Sequence, residues 1–126
     1  MDAKPLPGVS LKILQQMDGP IPGYVTVIVE LKVAAGTVVG RHLHPGIEST
    51  YVVEGEAELT IDGQPPRVLR GGEAFQVPPN TVHSVKIGDK NAKACSSLVV
   101  EKRKTARHSC IVFSVLLSRS ASQYVA

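Results

Sequence analysis

Between Glu56 and Ile61 polar and apolar residues alternate without a break, with Ala57, Leu59 and Ile61 on one parity and Glu56, Glu58 and Thr60 on the other. Successive side chains of an extended strand point to opposite sides, so the segment predicts a β-strand with one buried and one wet face. Asp62-Gly63 follows and signals a hairpin, because both residues tolerate the positive φ of a two-residue turn. The same reading places a strand on the alternation of Val9, Leu11 and Ile13, and another on the β-branched run from Tyr24 to Val33, after the breaker Gly19-Pro20-Ile21-Pro22-Gly23. Further strands are predicted over Thr37 to Leu43, Ser49 to Glu54, Arg67 to Leu69, Glu73 to Val77, Val82 to Ile87 and Ala94 to Val100. No segment predicts a helix. Short strands separated by many of the 11 glycines and 9 prolines point to an all-β sandwich or closed barrel.

A chain of 126 residues with 43% apolar and 20% charged residues suits one globular domain with a real core. No repeat, low-complexity tract or linker divides it. The formal charge of +3 comes partly from Lys102, Arg103, Lys104 and Arg107. That run has no interleaved aromatics and no nucleic-acid-binding motif around it, so it reads as a solvated loop and nucleic acid is not an expected partner. The proline-punctuated N-terminus has no apolar signal-peptide core, which predicts a cytoplasmic protein. The apolar run Cys110 to Leu117 is far shorter than the roughly 20 residues a membrane helix needs, and is expected to be a strand. Cys95 and Cys110 form no CxxC pair and are expected to be reduced.

The residues that carry chemistry are histidines and a glutamate. His42 and His44 are two apart, so on a strand both imidazoles face one side and can reach one ion. Glu48 follows the turn Pro45-Gly46-Ile47, which can bring its carboxylate beside the pair. His83, after Pro78-Pro79-Asn80, can close the set from another strand. Three neutral nitrogens and one carboxylate suit a divalent transition metal, one of Mn, Fe, Co, Ni, Cu or Zn, better than Mg or Ca. An octahedral ion would keep two positions for water, substrate or dioxygen.

Gly36, His42, His44, Glu48 and Gly55 fit the pattern G(x)5HxH(x)3E(x)6G at every position and spacing. With the residue frequencies of this chain, a chance match has a probability of roughly 5 in 100,000. Gly72, Pro78 and His83 fit G(x)5PxG(x)2H(x)3N, with Asn80 in place of the second glycine and Ile87 in place of the final asparagine. Asparagine tolerates a left-handed turn best after glycine, so the first departure is mild. On these two motifs the chain resembles the small single-domain cupins. The resemblance implies a cupin barrel, a jelly roll or double-stranded β-helix, over residues 11–100. Residues 1–10 would then form an N-terminal arm and 101–126 an atypical extension, in which Cys110 to Leu117 adds a strand and Ser118 to Ala126 is a loose tail.

The turn glycines Gly36, Gly55 and Gly72, and Pro78 and Pro79, are expected to shape the barrel corners. Alternation puts Thr50 and Val52 on the face of Glu48, and Val85 on that of His83, as pocket lining. Phe75, Tyr24 and Tyr51 are expected in the core, Arg41 outside the barrel, and His108 outside the metal set. The resemblance implies a metal-dependent enzyme, dioxygenase-like or isomerase-like, acting on a small substrate with two adjacent oxygens, such as a diketone, enediol or 2-hydroxyketone. Glu48 would be its candidate proton acceptor. The alternative is a small-ligand binding or sensing barrel without catalysis. The apolar face expected outside a small barrel predicts a homodimer.

Overall fold

The computed structural model describes residues 6–102, which form nine antiparallel strands and no helix. In chain order these are β1 (Val9–Asp18), β2 (Tyr24–Val33), β3 (Val38–His42), β4 (Glu48–Glu54), β5 (Glu56–Ile61), β6 (Arg67–Arg70), β7 (Ala74–Val77), β8 (His83–Ile87) and β9 (Ala92–Glu101). Two sheets share them: a five-stranded sheet ordered β1-β2-β9-β4-β7 and a four-stranded sheet ordered β3-β8-β5-β6. The single all-β barrel expected from the sequence is the fold observed. No helix among the described residues is long and apolar enough to cross a membrane. The expected strand at Cys110 to Leu117, His108, Cys110, and the tail lie outside the described residues.

Strand parity builds the interior. Val25, Val27 and Val29 of β2 and Leu98 and Val100 of β9 face inward and pack together as one buried cluster, against which Leu11, Ile13 and Leu31 rest. A second cluster joins Val52, Leu59, Ile61, Leu69, Phe75 and Val77 across both sheets. The hairpin strand β5 behaves as its alternation predicts, with Ala57, Leu59 and Ile61 buried.

Some boundaries differ from the sequence reading, because pairing rather than alternation decides them. At its start β1 agrees with the alternation of Val9, Leu11 and Ile13: Val9 pairs with Val33 and is buried. The strand then continues past its alternating part to Asp18, absorbing one extra residue between Ile13 and Gln15 as a bulge. At the other end β9 reaches Glu101, opposite Tyr24. Of the three aromatic residues expected in the core, only Phe75 is buried there. Tyr51 is 50% exposed, since its neighbours Thr50 and Val52 take the inward parity set by Glu48. Tyr24 is half-buried, of opposite parity to the buried Val25.

Two local constraints shape the loops around the site. Gly55 has φ of 86°, and a Cβ there would sit 2.6 Å from the carbonyl oxygen of Asn91, so the turn between β4 and β5 demands glycine. Gly46 has ordinary φ, but a Cβ would lie 2.3 Å from that of Val99, and its absence lets the chain between β3 and β4 settle on β9.

Candidate metal centre

His42, His44, Glu48 and His83 are all buried, and one potential ligand atom from each falls within 4.8 Å of all the others. Each is delivered differently. Glu48 opens β4 and pairs with Val77 of β7. His83 opens β8 and pairs with His42 of β3 on one side and Ile61 of β5 on the other. His42 depends on an irregularity: three steps along β3, from Val39 to His42, are matched by two along β8, from Val85 to His83. Without the extra residue, side chains three apart would face opposite ways; with it, both Val39 and His42 line the interior. β3 ends at His42, so His44 reaches the site from the following loop and not from the strand expected to carry both histidines. The backbone of Asn80, which has φ of 54°, ties that loop down by donating its N–H to the His44 carbonyl at 2.7 Å.

The ring nitrogens have assigned tasks. His42 Nδ1 lies 2.7 Å from the carbonyl oxygen of Gly40, and His83 Nδ1 lies 2.9 Å from that of Thr81. A carbonyl can only accept, so each Nδ1 carries a proton and each Nε2 is left for an ion. His83 Nε2 is 3.0 Å, and His44 Nε2 3.4 Å, from Glu48 Oε1. His44 Nδ1 is buried and has no hydrogen-bond partner.

Burial lowers the His42 pKa to about 4, helped by the neighbouring His83 and His44. Burial also works against the charge on Glu48, but its hydrogen bonds with His44 and His83 outweigh that cost and hold the carboxyl well below the usual carboxylate range. For His83 burial opposes the charged form, yet the bond to Glu48 and its charge raise the pKa above 6.5. Both nitrogens of His83 face acceptors, which agrees with a doubly protonated ring in the metal-free protein. The donor chemistry fits a divalent transition metal: soft-to-borderline nitrogens with fixed tautomers, one carboxylate oxygen, and an ion's worth of space between them.

Beyond these residues lies a cavity of about 100 Å³ whose walls include Val39, Val52, Phe75, Val85, Ile87 and Leu98. Thr50, Val52 and Val85 face it, as alternation predicts. Arg41 is outside and pairs with Asp62. Ser96 was not singled out by the sequence, although it shares parity with Leu98 and Val100; its hydroxyl meets Thr50 at 2.6 Å beside Glu48.

The family model of the cupin domain matches residues 29–101, and the chain belongs to that family. Among curated proteins the sequence has no match. Solved structures share the fold. A cupin superfamily protein from Desulfitobacterium hafniense is 22% identical, with a TM-score of 0.64 over 80% of this chain and 84% of that one. KdgF from a Halomonas species is 26% identical, with a TM-score of 0.60 over 82% of this chain and 89% of that one. The DMSP lyase DddQ from Ruegeria pomeroyi is 25% identical, with a TM-score of 0.63 over 78% of this chain but only 49% of that longer protein.

Proposed function

We propose that this cupin holds one divalent transition metal through His42, His44, Glu48 and His83, and acts as a metal-dependent enzyme on a small molecule that presents two adjacent oxygens. The observation that carries the reading is the convergence of four buried donors, two of them with Nδ1 anchored on backbone carbonyls, at one end of an apolar cavity. When bound, such a metal supplies Lewis acidity, or redox chemistry if it is a redox metal.

The protein's own residues set the rest. A cavity of about 150 Å³ lined by aliphatic and aromatic side chains holds benzene. The smaller volume here therefore suits a ligand of roughly four to six non-hydrogen atoms, with its oxygens toward the histidines and a short carbon portion against Val39, Val85 and Ile87. Those walls exclude water from the ligand's far side. Glu48, ionised and close to the reacting end, is the candidate acceptor, once detached from the ion, for a proton from an enediol hydroxyl or a hydroxyketone carbon. Sharing its fold with a lyase agrees with an enzyme but does not select the reaction.

A second reading, a binding or sensing barrel, draws on another observation: among the described residues, and outside the four donors, Lys93 is the only titratable residue lining the cavity, and it pairs with Glu30 at 3.6 Å. One experiment separates the readings. Untagged protein is analysed for bound metal, then exposed to small diketones, enediols and 2-hydroxyketones while oxygen uptake and ultraviolet absorbance are followed. Turnover of a panel member supports the enzyme; thermal stabilisation by one without turnover supports the sensor. Protein from metal-supplemented cells that carries well under one metal per chain sinks both metal readings.

A further inference from the structure

Glu48 divides its two oxygens. Oε1 faces the Nε2 atoms of His83 and His44, at 3.0 and 3.4 Å, whereas Oε2 is turned away and accepts a hydrogen bond from the Thr50 hydroxyl at 2.7 Å. Thr50 Oγ1 in turn lies 2.6 Å from Ser96 Oγ. The direction of this chain follows from the donors available. An ionised carboxylate only accepts, so the single Thr50 proton goes to Oε2, and the contact between the hydroxyls is filled by the Ser96 proton. Ser96 donates to Thr50, and Thr50 donates to Glu48.

Neither hydroxyl is there by default. Thr50 and Ser96 are direct partners across β4 and β9, and are 6% and 2% exposed. The inward positions of β9 around Ser96 are Ala92, Ala94, Leu98 and Val100, and Val52 follows Thr50 inward on β4. An aliphatic residue would pack in either place. A buried hydroxyl without a partner is costly, and these two are satisfied only as a line ending on the carboxylate.

We propose that Thr50, backed by Ser96, is a positioning residue that keeps Glu48 a one-oxygen ligand; this rests on the metal reading above. A carboxylate can bind an ion through one oxygen or through both. If Oε2 were released, it could take one of the two positions that four protein ligands leave on a six-coordinate ion, and a two-oxygen ligand would then be unable to chelate. The hydroxyl line thus protects the second open position, and with it the substrate class.

The test uses Co²⁺ added to the metal-free chain and acetohydroxamate as a small two-oxygen chelator, with Thr50→Val, Thr50→Ser and Ser96→Ala beside the wild type. Co²⁺ affinity, its visible spectrum, which reports coordination number, and acetohydroxamate binding are read. Thr50→Val is expected to weaken Co²⁺ binding about tenfold, to change the spectrum and to lose acetohydroxamate binding. Thr50→Ser should restore all three, and Ser96→Ala should fall between. Thr50→Val with wild-type affinity, spectrum and chelator binding overturns the proposal, as does Thr50→Ser behaving like Thr50→Val, which would show that the hydroxyl alone does not position Glu48. If Thr50→Val does not fold, Ser96→Ala decides: wild-type values there overturn it. A wild type that binds no Co²⁺ overturns the metal reading itself, a result distinct from all of these.

Discussion

His42 and His83 face each other across the β3–β8 pair with ring centroids 4.3 Å apart, and each rests its Nδ1 on the carbonyl two residues before it, Gly40 for one and Thr81 for the other. Two strands thus use the same local device to turn two imidazoles the same way. The rings are oriented by backbone, which side-chain substitutions elsewhere do not remove.

Replacing His83 with Ala should therefore abolish metal retention and leave the barrel folded. The ring is buried, so its loss leaves a cavity, and a destabilisation of about 1–3 kcal/mol is expected from the unpaired Glu48 and Thr81 groups. Elemental analysis reads the first effect, and urea unfolding with far-ultraviolet circular dichroism the second. Complete unfolding would show that the residue is structural.

Acidity should act on the metal-free protein in two opposed ways. The raised His83 pKa contributes stability that is complete below pH 6.5 and is lost as pH climbs through the raised value. The lowered His42 pKa contributes stability present above pH 6.5 and lost as pH falls toward about 4. The depressed Glu48 pKa contributes stability present above about 4.5 and lost only in stronger acid. Melting temperature in the presence of EDTA should thus pass through a maximum near pH 6.5. A profile that rises steadily from pH 6.5 to 4 would contradict the burial of a neutral His42.

Metal uptake should release close to one proton per chain at pH values between 6.5 and the raised His83 pKa, because the ring gives up its Nε2 proton when that nitrogen becomes a ligand. Calorimetric titration in buffers of different ionisation enthalpy counts it. No net release would mean that His83 is already neutral or does not bind the ion.

Asn80 offers a test of the loop that holds His44. Asn80→Gly keeps the left-handed backbone and the N–H bond to the His44 carbonyl, so it should change stability by less than about 0.5 kcal/mol. Asn80→Val places a β-branched residue at φ of 54° and should cost about 1–2 kcal/mol. The variant should also bind metal more weakly, since His44 has no strand to position it. Urea midpoints and Co²⁺ titration report both effects.

A homodimer is expected through the outer face of the five-stranded sheet, where Ile28, Tyr51 and Val53 are exposed and Ile28 and Tyr51 line one groove. Tyr51→Arg should shift the mass in light scattering toward the monomer. A monomeric wild type would overturn the expectation.

How much of this was legible in the chain varies from residue to residue. The hairpin strand Glu56–Ile61 was readable because one face is wet and the other dry, and period-two alternation is the direct trace of that. The grouping of His42, His44, Glu48 and His83 was readable from spacing. The route taken by His42 was not, because an inserted residue in β3 leaves no mark in local composition; it exists only relative to β8. The extent of β1 was hidden for a similar reason, as Gln15 and Gln16 are polar and owe their extended form to pairing with β2. Thr50 could be assigned to the interior by parity, but its partner Ser96 is 46 positions away and is joined to it only by the register of β4 on β9.

The extra residue between Val39 and His42 makes the donor set separable from the fold. Were the same residues paired with β8 without that irregularity, plain alternation would set side chains three apart on opposite faces and turn the imidazole of His42 away from Val39 and the interior. The donor set thus depends on how β3 is matched to β8 and not on alternation along β3 alone.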